Sequence, residues 1–125
     1  MIFGIGNDVV EIERIKKIYE KFGHHFARRI LNPEEFEMFS DKKNHIQFLA
    51  KRFAAKEAFS KALGIGFRHP VTFQGIQVAN NSMGQPYLVL DKKISAYMKQ
   101  QHIVTYHLSI SDEKRIASAV VILEK

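Results

Sequence analysis

Asp8, Glu57 and Lys61 are the side chains in this sequence best suited to chemistry on a phosphorylated ligand. Asp8 closes the segment Gly4-Ile5-Gly6-Asn7-Asp8 inside an apolar run from Ile2 to Val10. In a strand, Gly4, Gly6 and Asp8 share parity and project to one face, which is bare of side chains until the carboxylate. Such a carboxylate at a strand end has two uses. It can cap the next helix, or it can join a second carboxylate around Mg²⁺, which typically takes one or two protein carboxylates together with phosphates and waters. Glu57 is the natural second carboxylate. It lies roughly 40° from Lys61 on a helical wheel, on a side shared with Ala50 and Ala54. The ordinary meaning of that i,i+4 spacing is a surface ion pair worth a few tenths of a kcal/mol. The neighbours argue for more, because Phe48, Leu49, Phe53, Ala55, Ala58, Phe59, Ala62 and Leu63 make the helix apolar nearly all round. A carboxylate in such surroundings needs a partner, a cation included.

Other chemistry is poorly represented. Gly4-Ile5-Gly6 lacks the third glycine of a dinucleotide fingerprint, and no P-loop occurs. Gly64-Ile65-Gly66, past the end of a helix, reads either as a helix stop with a mobile loop or as a backbone cradle beside a phosphorylated ligand. His24, His25 and His45 have no metal-ligand spacing, His107 reads as a strand residue, and Ser109 has no triad around it. The absence of Cys removes disulfides, thiolate chemistry and Cys-based metal sites, and suits a reducing cytosolic compartment.

The elements that must position these groups follow from periodicity and punctuation. A buried strand over 2–10 leads into a helix with Ile12, Ile15, Ile18, Tyr19 and Phe22 on one side, stopped by Gly23. Arg14, Lys17 and Lys21 form a basic stripe on another side, with Arg28 and Arg29 beyond it. After an apolar-containing stretch over 24–31, Asn32-Pro33-Glu34-Glu35 starts a short helix to about Phe39. Asn44, with Gln47 three residues on, predicts a capping box opening the long helix that ends near Leu63. Phe73, Ile76 and Val78, the turn 80–84 and Tyr87 to Leu90 predict a hairpin. Residues 92–100 follow as a helix, then an alternating strand over 104–111. The nearly unbroken apolar run 116–123 predicts a strand covered on both faces. The fold class is α/β (α+β), a mostly antiparallel sheet packed on a long central helix.

At 125 residues and 46% hydrophobic, with ten Phe, the chain suits one domain over residues 1–125 and is no disordered tract. No apolar run approaches the roughly 20 residues of a membrane span. The start lacks the features of a secretory leader. A net charge of +6 attracts anionic partners without saying which kind.

Two long segments go further. Residues 4–14, GIGNDVVEIER, and 48–64, FLAKRFAAKEAFSKALG, closely resemble the signatures of bacterial holo-acyl-carrier-protein synthases, the small 4′-phosphopantetheinyl transferases. The likeness continues through 26–31, 84–87 and 107–111. The resemblance implies transfer of 4′-phosphopantetheine from coenzyme A to a serine of apo acyl carrier protein, releasing adenosine 3′,5′-bisphosphate, as in fatty acid biosynthesis. It further implies Mg²⁺ held by Asp8 and Glu57, with Lys61 near the coenzyme A phosphates. Glu57 becomes the candidate base, directly or through a metal-bound water. Lys43, Arg52, Gly64 and Gly66 become coenzyme A contacts, with Lys42 and Lys56 also considered. Arg14, Lys17, Lys21 and Arg28 become a docking surface for the acidic carrier protein. The family's habit implies a cytoplasmic homotrimer with the coenzyme A site between adjacent subunits, engaging neither nucleic acid nor membrane. One departure stands out: many relatives carry His where this chain has Asp112. The competing readings are a basic nucleic-acid-binding module using the Arg14 stripe and a catalytically silent carrier-protein binder.

Overall fold

A computed structural model describes residues 1–125. In chain order the elements are β1 (Ile2–Glu11), α1 (Ile12–Phe22), α2 (His24–Ile30), α3 (Pro33–Ser40), α4 (His45–Leu63), β2 (Ile76–Asn80), β3 (Pro86–Leu90), α5 (Lys92–Gln100), β4 (Thr105–Asp112) and β5 (Ile116–Glu124). Three strands make an antiparallel sheet in the order β1-β5-β4, and β2 and β3 form a separate antiparallel hairpin. The expected mixed architecture, with antiparallel sheets on a long helix, is the one observed. No helix is long and apolar enough to cross a membrane.

The sheet lies on α4. Ala117, Ala119, Val121 and Leu123 of β5 are buried against it, and Ala54, Ala55, Ala58 and Ala62 keep the helix surface low. The parity of β1 now has a cause. A Cβ at Gly6 would overlap the carbonyl oxygen of Ala58, and one at Gly4 that of Ala62, so only glycine lets the two backbones touch. The glycines therefore serve a neighbouring backbone.

Several local expectations fail for identifiable reasons. β1 continues to Glu11, so Asp8 stands three residues inside the strand and caps nothing; Glu11 occupies the N-cap position of α1. The stretch after Gly23 is helical, because that glycine, at φ 60°, turns the chain sharply enough to start α2 at once. The capping box at Asn32 and Glu35 forms with both reciprocal bonds, at 2.9 and 3.0 Å. The one expected at Asn44 does not, since Gln47 donates to Asp112 Oδ2 at 2.8 Å instead. Strand β5 is covered on one face only. Its outward side chains are half-buried, beside Ile5 and Val9 of β1, which are exposed.

A buried charge cluster ties α4 to its surroundings. Glu35 Oε1 accepts from Lys56 Nζ at 2.6 Å, and Oε2 accepts from the Val78 amide at 2.9 Å and lies 3.4 Å from Arg52 Nε. Lys56 also donates to the Ile30 carbonyl at 2.7 Å. One carboxylate thus fastens the α2–α3 corner and the hairpin to α4. Burial lowers the Lys56 ammonium to about 8, against the opposing pull of Glu35. Burial likewise lowers the Arg52 guanidinium, again opposed by Glu35.

Candidate active site

Because Gly4 rests on Ala62 and Gly6 on Ala58, β1 runs antiparallel along α4, and the next residue of that face, Asp8, is carried over the turn bearing Glu57 and Lys61. The glycine spacing thereby sets the position of the carboxylate. Lys61 Nζ donates to Asp8 Oδ1 at 2.9 Å and to the Asn7 carbonyl at 3.1 Å. The ordinary alternative, a Glu57–Lys61 pair within the helix, does not form; the lysine reaches across to the strand instead.

Glu57 is left without a protein donor on its carboxylate, its only side-chain-mediated bond being the one its backbone carbonyl accepts from Ser60 Oγ at 2.7 Å. Partial burial raises its pKa, the nearby Asp8 charge raises it further, and Lys61 opposes both. The electrostatics place the three groups within mutual reach. Two carboxylates that repel one another, with one half-exposed lysine for two negative charges, form a site that gains from added positive charge. No cluster of three or more carboxylate or imidazole side chains adjoins them. Two carboxylates fit Mg²⁺, which ordinarily completes its shell with waters and phosphate oxygens.

The remaining candidates fall elsewhere. Gly64 and Gly66 have positive φ, 88° and 62°, and both amides donate to the Ser60 carbonyl, at 3.2 and 3.3 Å. Those amides close the helix end, so what the glycines offer a ligand is open space, nothing lying within 4 Å of a Cβ at either. Lys56 is fully buried against Glu35, which takes it out of reach of any ligand. Arg52 is 95% buried by the same cluster, its relative exposure being 5%. One edge of it nevertheless lines a polar pocket of about 480 Å³, with Lys42, Gln47, Lys51, Asn80 and Asp112. Its two hydrogen bonds, to the Val78 carbonyl at 3.1 Å and Asn80 Oδ1 at 3.4 Å, both use Nη2, and Nε has no partner. Lys43 is exposed and does not line this pocket; its neighbour Lys42 does.

The pocket and the Asp8–Glu57–Lys61 site occupy different flanks of α4. The wheel angles of 47–52 and 57–61 differ by roughly 130°. One chain does not bring them together. Lys51 and Gln47 were missed as pocket residues. Their i,i+4 spacing was visible, but the acid they meet, Asp112, comes from 61 and 65 residues further on.

Arg14, Lys17, Lys21, Arg28 and Arg29 are all exposed on α1 and α2. The Arg28 guanidinium lies 4.6 Å from the Phe36 ring centroid, which holds it near the surface of α3. Beside this basic face opens a largely apolar pocket of about 790 Å³, walled by Ile18, Phe22, Phe26, Phe53 and Phe73, with Glu57 on its wall. The rings of Phe67 and Phe73 stack at 3.9 Å, and Phe53 continues the stack at 5.8 Å from Phe73.

Comparison with known proteins gives one answer. A family model described as the 4′-phosphopantetheinyl transferase superfamily matches residues 4–119. The holo-[acyl-carrier-protein] synthase of Nitrosospira multiformis is 47% identical over 125 residues, the whole of both chains. The crystal structure of the holo-[acyl-carrier-protein] synthase from Neisseria meningitidis is similar with a TM-score of 0.96 at 43% identity, covering 100% of each chain. A Bacillus anthracis holo-(acyl-carrier-protein) synthase solved in complex with CoA (3′,5′-ADP) is similar at 0.83 and 39% identity, over 98% of this chain and 96% of that one.

Proposed function

The chain belongs to the 4′-phosphopantetheinyl transferase superfamily, and on that premise we propose that residues 1–125 act as one transferase domain that moves 4′-phosphopantetheine from coenzyme A to a serine of apo acyl carrier protein. The bond that forms joins the serine oxygen to the phosphorus bearing the pantetheine arm. The bond that breaks is the diphosphate linkage, and adenosine 3′,5′-bisphosphate leaves. The observation that carries this reading is the convergence of Asp8, Glu57 and Lys61 at the seam of β1 and α4.

Asp8 and Glu57 would hold Mg²⁺, which when bound supplies positive charge against the diphosphate oxygens. Lys61, half-exposed and reaching toward Asp8, adds a second positive charge where the leaving phosphate gains its negative one. Glu57 is the candidate acceptor of the serine proton. It acts directly or through a metal-bound water, and it fronts the apolar pocket beside the basic helices. Arg14, Lys17, Lys21 and Arg28 would steer the acidic carrier to that face. The open surface at Gly64 and Gly66 would let coenzyme A pass close to the end of α4.

The cationic pocket around Arg52 would take the 3′-phosphate of coenzyme A. Its place on the opposite flank of α4 supports a homotrimer in which one subunit's pocket faces its neighbour's Asp8 and Glu57. Ile5 and Val9, exposed on the outward sheet face, support the same assembly. The reading places the protein in the cytoplasm, in fatty acid biosynthesis.

Intact-mass spectrometry of apo carrier protein incubated with this chain, coenzyme A and Mg²⁺ tests the reaction. The expected result is one added phosphopantetheine, absent without coenzyme A. Salt-dependent binding of DNA or RNA that survives loss of Asp8 and Glu57, with no mass change on the carrier, would favour the nucleic-acid reading instead.

A further inference from the structure

The polar pocket beside Arg52 holds three cations, Lys42, Lys51 and Arg52, and a single acid, Asp112. Arg52 is held by Glu35, Val78 and Asn80, with Nε buried 3.4 Å from Glu35 Oε2 and another part of the side chain lining the pocket. The cations of the pocket wall outnumber the acid and favour an anion there. Asp112 opposes such an anion. Its Oδ2 accepts from Gln47 at 2.8 Å and its Oδ1 lies 3.9 Å from Lys51 Nζ, with the two side chains 29% and 37% exposed. A half-exposed pair at that distance is weak, so Lys51 is only loosely held.

We infer that Asp112 is a specificity-determining residue that weakens the pocket's grip on a phosphate dianion, by competing for Lys51 and Gln47 and by its own charge. This rests on the reading that the pocket takes the 3′-phosphate of coenzyme A. A carboxylate in this position makes release of a nucleotide with a 3′-phosphate easier. It follows that removing the negative charge at 112 strengthens binding.

The test is calorimetric titration of adenosine 3′,5′-bisphosphate and of 5′-AMP into wild-type protein in its native assembly, Asp112→Asn and Asp112→Glu. Asparagine keeps an acceptor for Gln47 and loses the charge; glutamate keeps the charge. The expected result is ~3- to 10-fold tighter binding of the bisphosphate by Asp112→Asn, shrinking as salt is raised. Little gain is expected for 5′-AMP, which lacks the 3′-phosphate, and wild-type affinity is expected for Asp112→Glu. Equal or weaker binding of the bisphosphate by Asp112→Asn overturns the inference while leaving the pocket reading intact, and so does an equal gain for both nucleotides. Failure of wild type and both variants alike to distinguish the bisphosphate from 5′-AMP overturns the pocket reading and this inference together.

Discussion

Helix α4 carries two charged centres about a turn apart, and they are built on opposite terms. At Glu35–Lys56–Arg52 each carboxylate oxygen meets a lysine or a backbone amide, and both Glu35 and Lys56 are almost wholly buried. At Asp8–Glu57–Lys61 one acid is paired, the other has no protein donor, and the lysine is half-exposed. The acid of the first centre is fully partnered by protein groups, and Glu57 of the second is not. A buried cluster with its hydrogen bonds made fixes the geometry of a fold, whereas an unmatched carboxylate at a surface seam is where a cation and a phosphate can enter. Proximity in sequence does not separate the two, since Lys56 and Glu57 are adjacent residues.

That contrast predicts what substitutions do. Glu57→Gln, nearly isosteric, should lower transfer by about 10²- to 10³-fold or more with little change in the urea midpoint. A loss of stability matching the loss of activity would make Glu57 structural. Glu35→Ala should do the reverse. It strands two buried cations and removes the α3 capping box, and a cost of ~3–5 kcal/mol in urea denaturation is expected. A change below about 1 kcal/mol would mean that the cluster does not hold the fold. Gly6→Ala tests the seam between the two centres, because the added carbon has to displace β1 from Ala58. About 1–3 kcal/mol of destabilisation is expected, with transfer reduced as well because Asp8 moves with the strand.

The pH dependence should also distinguish the centres. Glu57 in the folded chain keeps a proton that the unfolded chain has released, so between the ordinary glutamate value and its raised one, stability falls as pH rises. Lys56 has the opposite sign. Between about 8 and the ordinary lysine value of 10.5 the unfolded chain holds the extra proton, and stability gains as pH rises. In the metal-free protein Asp8→Asn should move the titration of the Glu57 carboxyl, followed by NMR, to lower pH by removing a repelling charge, and Lys61→Met should move it higher. A titration unmoved by either change would contradict the coupling. The smallest effect is expected at the rim. Arg14→Glu should slow association with the carrier by about tenfold at low salt and flatten its salt dependence.

Much of this was legible in the sequence because it is local. The parity of Gly4, Gly6 and Asp8, the Asn32 cap with Pro33 after it and the apolar continuity of α4 are properties of short windows, and the structure has them all. Failures came where a distant partner outbids a near one. Lys61 bonds Asp8 from 53 residues away, a partner that no local spacing shows. Gln47 takes Asp112, 65 residues on, in place of its own helix start. Lys56 reads as a ligand contact in a helix otherwise apolar, and no local rule points to Glu35 as the buried counter-ion it shares with Arg52. The sequence does show that a charge in such a helix must be partnered, without saying whether the partner is protein or ligand.

The proposed reaction requires Asp8 and Glu57 to act together on one cation. Calorimetric titration of Mg²⁺ in the presence of coenzyme A, on wild type, Asp8→Asn and Glu57→Gln, measures that without relying on turnover. One saturable site per chain is predicted for wild type, lost in either variant while the fold persists. Wild-type Mg²⁺ affinity in either single variant would contradict it.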